Sequence, residues 1–172
     1  MNEIDIDEKA LYKKYPRVFN LLLKDNTTKE NIIWATDSYS ECGYSFNDQI
    51  NPKSITELDI IKPRSEKEKY DQIARARSKG EVFTPSWMCN KQNNIVDNDW
   101  FGYKNPFNRE CDNLTWKTTS KKIAFKNGKT WIDYIKDIRL EIACGEAPYL
   151  CSRYDTVNGI LIPLSNRIGM LD

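Results

Sequence analysis

The sequence predicts an α/β chain in three parts. Residues 1–61 form an N-terminal helical and extended module, 62–79 a basic linker or helix, and 80–172 the first strand–helix units of a doubly wound sheet. Three observations carry this reading. Leu11, Tyr15, Phe19 and Leu22 recur at helical spacing. Thr84-Pro85 follows the short extended piece Glu81-Val82-Phe83 with the chemistry of a helix start. The strand-like run Ile138 to Ala143 breaks at Cys144-Gly145 and turns toward another helix.

Taken in order, "DEKALYKKYPRVFNLLLKD" is expected to be helical, with Pro16 ending or kinking its first turns. "NIIWAT" (31–36) is short, apolar and β-branched, which predicts a strand. Residues 37–61 mix turn residues with apolar pieces such as "SITELDII". The run 62–79 holds seven basic side chains against three acidic ones. It reads either as a solvated helix or linker, or as a phosphate-contacting strip in which Arg75, Arg77 and Lys79 lead into Gly80. Thr84 would cap the next helix with Pro85 at N1, where a missing N–H costs nothing. That helix carries Trp87, Met88, Asn94 and Ile95 and ends at "DNDWFG". "KKIAFKNGKTW" predicts a strand, an Asn-Gly turn and a second helix start capped by Thr130.

Composition excludes several functions. In 172 residues the formal net charge is +1, which exerts no global pull on nucleic acid or anionic membrane. No apolar run approaches the roughly 18 residues a membrane helix needs. The acidic start "MNEIDIDEKA" is not built like a secretion signal, so a cytoplasmic location is expected. Cys42, Cys89, Cys111, Cys144 and Cys151 form no C-x-x-C pair and read as free thiols. Histidine is absent, which removes His-dependent triads and His-containing zinc sites. A carboxylate-only nuclease would need a D…E-x-K spacing. Only Asp7-Glu8-Lys9 places an acid two positions before a lysine, in the N-terminal tail, and no metal site is expected.

Two segments carry a resemblance. "Gly80-Glu81-Val82-Phe83-Thr84-Pro85" is similar to a G-x-F/Y-F/Y-T-P segment. "Glu141-Ile142-Ala143-Cys144-Gly145-Glu146-Ala147-Pro148-Tyr149-Leu150" is similar to D-P-A-C-G-S-G-x-F/Y-L. Both, in this order, belong to the N-terminal part of S-adenosylmethionine-dependent DNA adenine-N6 methyltransferases, found as restriction–modification subunits and fused enzymes. The glycine segment taken alone reads equally as an ordinary turn.

The resemblance implies a Rossmann-like methyltransferase sheet and S-adenosylmethionine as cofactor. It implies that Phe83 packs beside the cofactor and that Thr84, with Pro85, meets its amino-acid end at a helix N-terminus. Glu141 would bind the ammonium group directly or through water. Ala143, Cys144 and Gly145 would form the loop beneath the cofactor, where Gly145 permits close approach. An acid after the second strand would hold the ribose hydroxyls. Asp172 is the candidate, and a mobile terminal residue is the alternative.

Departures shape the functional expectation. Ala147-Pro148 replaces the loop's second glycine position and stiffens it. A long insert, 98–130, separates the motifs; it reads as a DNA- or partner-facing element or, from Trp100, Phe101, Tyr103 and Phe107, as local core. The family's catalytic D/N/S-P-P-F/Y/W loop has no counterpart, because the sequence contains no Pro-Pro. Asn105-Pro106-Phe107 reads as a turn. The expectation is a cofactor-binding portion without catalytic residues or target-recognition region: a fragment, a natural truncation or a repurposed half. It would be inactive alone, contact DNA weakly or through a partner, and act beside a complementing catalytic or specificity subunit. The alternative is a non-catalytic binding protein, such as a phage or mobile-element factor that mimics or inhibits a defence enzyme.

Overall fold

Pro16 splits the first helical run. The computed structural model describes residues 4–58, 60–67, 69–142 and 145–172, with the backbone alone at Tyr70, Asp71 and Lys79. Helix α1 (Glu8–Lys14) is capped by Asp7, whose carboxylate accepts from Ala10 N at 2.7 Å. Helix α2 (Pro16–Leu22) begins at the proline. The break resets the helical phase. Phe19 is buried as its spacing predicts, but Tyr15 and Leu22, expected on the same face, stand exposed, and Leu23 is buried in place of Leu22.

Around Phe19 and Leu23 gather Trp34, Ile50 and Ile55, with Tyr12, Tyr39 and Tyr44 against them. The expected strand 31–36 makes only single bridges, Lys24 to Asn31 and Ile33 to Gln49. Ala35 takes a left-handed φ of 51°, which turns the chain before a ladder can extend. Helix α3 (Pro52–Thr56) has a reciprocal cap between Asn51 and Ser54. These elements make up one compact unit, Met1–Pro63; the rest, Arg64–Asp172, is a second.

In the second unit the basic run forms a 3-10 turn, Arg64–Glu66, and helix α4 (Lys69–Lys79). Helix α5 (Ser86–Phe101) ends at Gly102, whose left-handed φ of 66° suits a residue without Cβ. Strands β1 (Asn108–Cys111) and β2 (Thr115–Thr118) pair antiparallel, Asn108 opposite Thr118 and Cys111 opposite Thr115. Helix α6 (Trp131–Lys136) starts as expected: Asn127 and Gly128 both have positive φ, and Thr130 and Asp133 cap each other.

The chain is therefore mixed α/β, with six helices and one two-stranded antiparallel sheet among the described residues. The strand expected over "KKIAF" makes no ladder there, and the hairpin lies upstream at 108–118. The strand expected from Ile138 onward is also unpaired over 138–142; Ala143 lies outside the described residues. A doubly wound sheet is thus not formed among the described residues. The aromatic side chains of the insert are local core: Phe101, nearly fully buried, touches the rings of Trp100, Tyr103, Phe107, Phe125 and Tyr134. No helix among the described residues is long and apolar enough to cross a membrane.

Candidate functional site

Helix α5 organises this region because its buried face is polar. Ser86, Asn90, Asn94 and Asp97 recur at helical spacing, and all are buried beside Cys89. Each turn holds a different segment. Asn93 Nδ2 donates to the carbonyls of Tyr149 (3.2 Å) and Ile168 (2.8 Å). Asn94 Nδ2 donates to Asn108 Oδ1 at 3.0 Å. Asp97 Oδ1 accepts from the Tyr134 hydroxyl at 2.7 Å and lies 3.4 Å from Arg139 Nη1. Burial pushes the Asp97 carboxyl above its ordinary range, against the pull of Tyr134 and Arg139.

At its N-terminus the helix differs from expectation. It starts at Ser86, and the extended residue before it is Pro85, which has no side-chain acceptor. The cap comes from 69 positions downstream: Asp155 Oδ2 accepts from Ser86 N at 2.7 Å. Asp155 is itself held by N–H donors of Val157 and Asn158. Thr84 contributes its carbonyl, which accepts from Thr156 Oγ1 at 3.1 Å and from Cys89 Sγ at 3.6 Å. The expected Thr84 cap is corrected to an Asp155 cap, a pairing that local sequence rules cannot see.

The two motif segments meet. A Cβ built on Gly145 would lie 3.1 Å from Phe83 Cε1, so the ring covers this glycine, whose φ is +53°. The Arg64 guanidinium stacks 4.6 Å from the centre of the same ring. Glu146 ties the loop down: Oε1 accepts from Arg64 N and Oε2 from the Tyr154 hydroxyl, both at 2.8 Å. Ala143 and Cys144, two expected loop residues, lie outside the described residues.

Glu141 is the most distinctive group. Its Oε1 is buried without a hydrogen-bond partner among the described residues, and burial raises its carboxyl above the ordinary range. It stands near the start of α5: burial pushes the Cys89 thiol up to about 11, and the charges of Glu141 and Asp155 act in the same direction. Ser86 Oγ and both amide atoms of Asn90 are likewise buried without partners. A buried polar atom left unpaired costs about 1–3 kcal/mol, and Glu141, Ser86 and Asn90 hold four such atoms among the described residues. Sequence reasoning missed Asn90. The signal was the recurrence of Ser86, Asn90, Asn94 and Asp97 along one helix face.

The remaining candidates are engaged elsewhere. Asp172 Oδ2 accepts from Ser152 N (2.7 Å), Ser152 Oγ (2.9 Å) and Gly169 N (3.0 Å), which closes the C-terminal turn. Arg75 grips Glu81 through two bonds, Nε to Oε2 at 2.8 Å and Nη2 to Oε1 at 2.9 Å, which hold the Glu81 carboxyl below its ordinary range. Arg77 is exposed; the Lys79 side chain lies outside the described atoms.

No protein-family model matches the chain, and neither the curated proteins nor the solved structures contain a match to it.

Proposed function

We propose that this chain is the S-adenosylmethionine-binding portion of a DNA adenine-N6 methyltransferase of a restriction–modification system. The observation that supports it best is the contact between Phe83 and Gly145. It joins two segments 62 positions apart, the two that carry the methyltransferase resemblance. The unpartnered Glu141 oxygen adds the acceptor that the cofactor's ammonium group needs.

S-adenosylmethionine supplies an electrophilic methyl group on sulfur. The chain's own residues bind and orient it. Glu141 accepts from the ammonium group. Phe83, backed by Arg64, offers an aromatic surface, and Gly145 keeps the backbone beneath it bare. Two expected contacts are weaker here. The Ser86 N–H that would meet the cofactor's carboxylate already serves Asp155, and Asp172 is occupied by Ser152 and Gly169. Binding is therefore weak. In this reading the run from Ile138 is a strand of a Rossmann-like sheet in the assembled protein. Transfer itself needs a flipped adenine whose amino group is held by acceptors. Without a Pro-Pro loop the chain does not methylate DNA alone. Of the three candidate phosphate contacts, Arg75 is committed to Glu81, and Arg77 is the exposed one among the described side chains.

The test is a methyl-transfer assay with labelled cofactor on mixed-sequence DNA, run with this chain alone and with a polypeptide carrying the catalytic and recognition regions. Transfer only with both supports the proposal. Transfer by the chain alone would place catalytic residues within it and contradict the reading. The same Asp155 and Asp172 engagements favour a second reading, a non-catalytic binding protein that retains the shape without the cofactor. Silence in both assays, with no cofactor binding, would select it.

A further inference from the structure

The segment 138–142, "IRLEI", is written as a strand and has no strand beside it. Ile138, Leu140 and Ile142 alternate with Arg139 and Glu141, and they are 97%, 84% and 81% exposed. Among the described residues no hydrogen bond uses the backbone N–H or C=O of these five residues. A soluble chain rarely leaves such an alternating apolar row and such a backbone both uncovered. Just before it, α6 also exposes Trp131, Ile132 and Ile135, which enlarges the apolar surface.

The order of the side chains says what fits. Pair the segment with itself, antiparallel, about Leu140. Ile138 then faces Ile142, Arg139 faces Glu141, and Leu140 faces Leu140 of the other copy. Every position meets a complementary one, apolar on one face and opposite charges on the other, at cross-strand distances of about 4.5–5.5 Å. Sliding one strand by two residues either way sets an isoleucine of each copy beyond the end of the segment, parts both charge pairs and brings Glu141 against Glu141 or Arg139 against Arg139.

We propose that two copies of this chain associate through residues 138–142 as an antiparallel strand pair with a two-fold axis at Leu140. A two-fold interface is isologous, so one self-complementary strand suffices to build it. The main-chain bonds give affinity and the alternating side chains fix the register. The inference shares the segment 138–142, with Glu141, with the methyltransferase reading but uses neither the cofactor nor Phe83 and Gly145; its test contains no cofactor, so the two readings fail separately.

Sedimentation velocity on the full chain over a concentration series tests it, with circular dichroism to confirm folding. The wild type is expected to reach twice the chain mass. Leu140→Lys and Leu140→Glu, both at an exposed position, should each stay monomeric at the concentrations where the wild type is dimeric. An equimolar mixture of the two variants should recover the dimer, because only a residue facing itself across the axis gives this rescue. A folded wild type that remains monomeric throughout would overturn the proposal and leave the strand for a different polypeptide. So would a dimer indifferent to Leu140→Lys, or two variants that fail to rescue each other.

Discussion

The two units bury different chemistry. In the first, Phe19, Leu23, Trp34, Ile50 and Ile55 make an apolar core in which shape alone decides the fit. In the second, α5 buries Ser86, Asn90, Asn94 and Asp97, and apolar packing is concentrated in the aromatic cluster around Phe101. A polar helix face costs stability unless every group is paired. From Asn93 to Asp97 the polar side chains are paired; Ser86 Oγ and the Asn90 amide, near Glu141, have no partner among the described residues. The difference separates a stretch of α5 that ties segments of the unit together from a stretch whose polar side chains are buried without such ties.

The largest effect should come from the aromatic cluster. Phe101→Ala removes the ring that five others touch and should cost about 3–5 kcal/mol, measured by denaturant unfolding. Phe19→Ala in the first unit should lose a similar amount. If Phe101→Ala cost less than 1 kcal/mol, the cluster would not be the second unit's core.

Next is Asp97. Asp97→Ala strands the Tyr134 hydroxyl and Arg139 without their acceptor, and should cost roughly 3 kcal/mol. The charge has its own signature. Because the folded pKa is raised above the unfolded value, the native state binds the proton more tightly. Stability therefore falls as pH rises from the ordinary carboxylate range through the folded pKa. Asp97→Asn keeps an oxygen for Tyr134 and should flatten that part of the pH profile. An unchanged slope would mean that other carboxylates carry it.

A smaller effect sharpens the assignment of the helix cap. Asp155→Ala should lose about 1 kcal/mol, whereas Thr84→Ala should lose only a few tenths. The reverse order would restore Thr84 as the cap and free Ser86 N–H for a ligand.

These placements show what the sequence made legible. Features governed by neighbours within a few residues were readable: the break at Pro16, the Asn127-Gly128 turn, the Thr130 cap and the helix beginning beside Pro85. Features governed by distant partners were not. The Asp155 cap lies 69 residues from the helix it serves. The left-handed Ala35 that interrupts 31–36 has no glycine or asparagine to announce it. Asn90 reads as a surface residue by type, and only its phase with Ser86, Asn94 and Asp97 betrays a buried face. At the candidate site, the resemblance implied that Phe83 and Gly145 both border one cofactor; that the Phe83 ring itself covers Gly145 was visible only in three dimensions. The commitments of Arg75 to Glu81 and of Asp172 to Ser152 were visible only in three dimensions.

Titration calorimetry with S-adenosylmethionine tests the central claim most directly, applied to the wild type, Glu141→Gln and Gly145→Val with folding verified for each. The account predicts weak binding by the wild type. It predicts at least a tenfold loss for Glu141→Gln, equivalent to about 1.4 kcal/mol, and no binding by Gly145→Val, whose side chain would displace the Phe83 ring. A folded wild type that gives no signal at millimolar cofactor would contradict it, as would variants that bind as the wild type does.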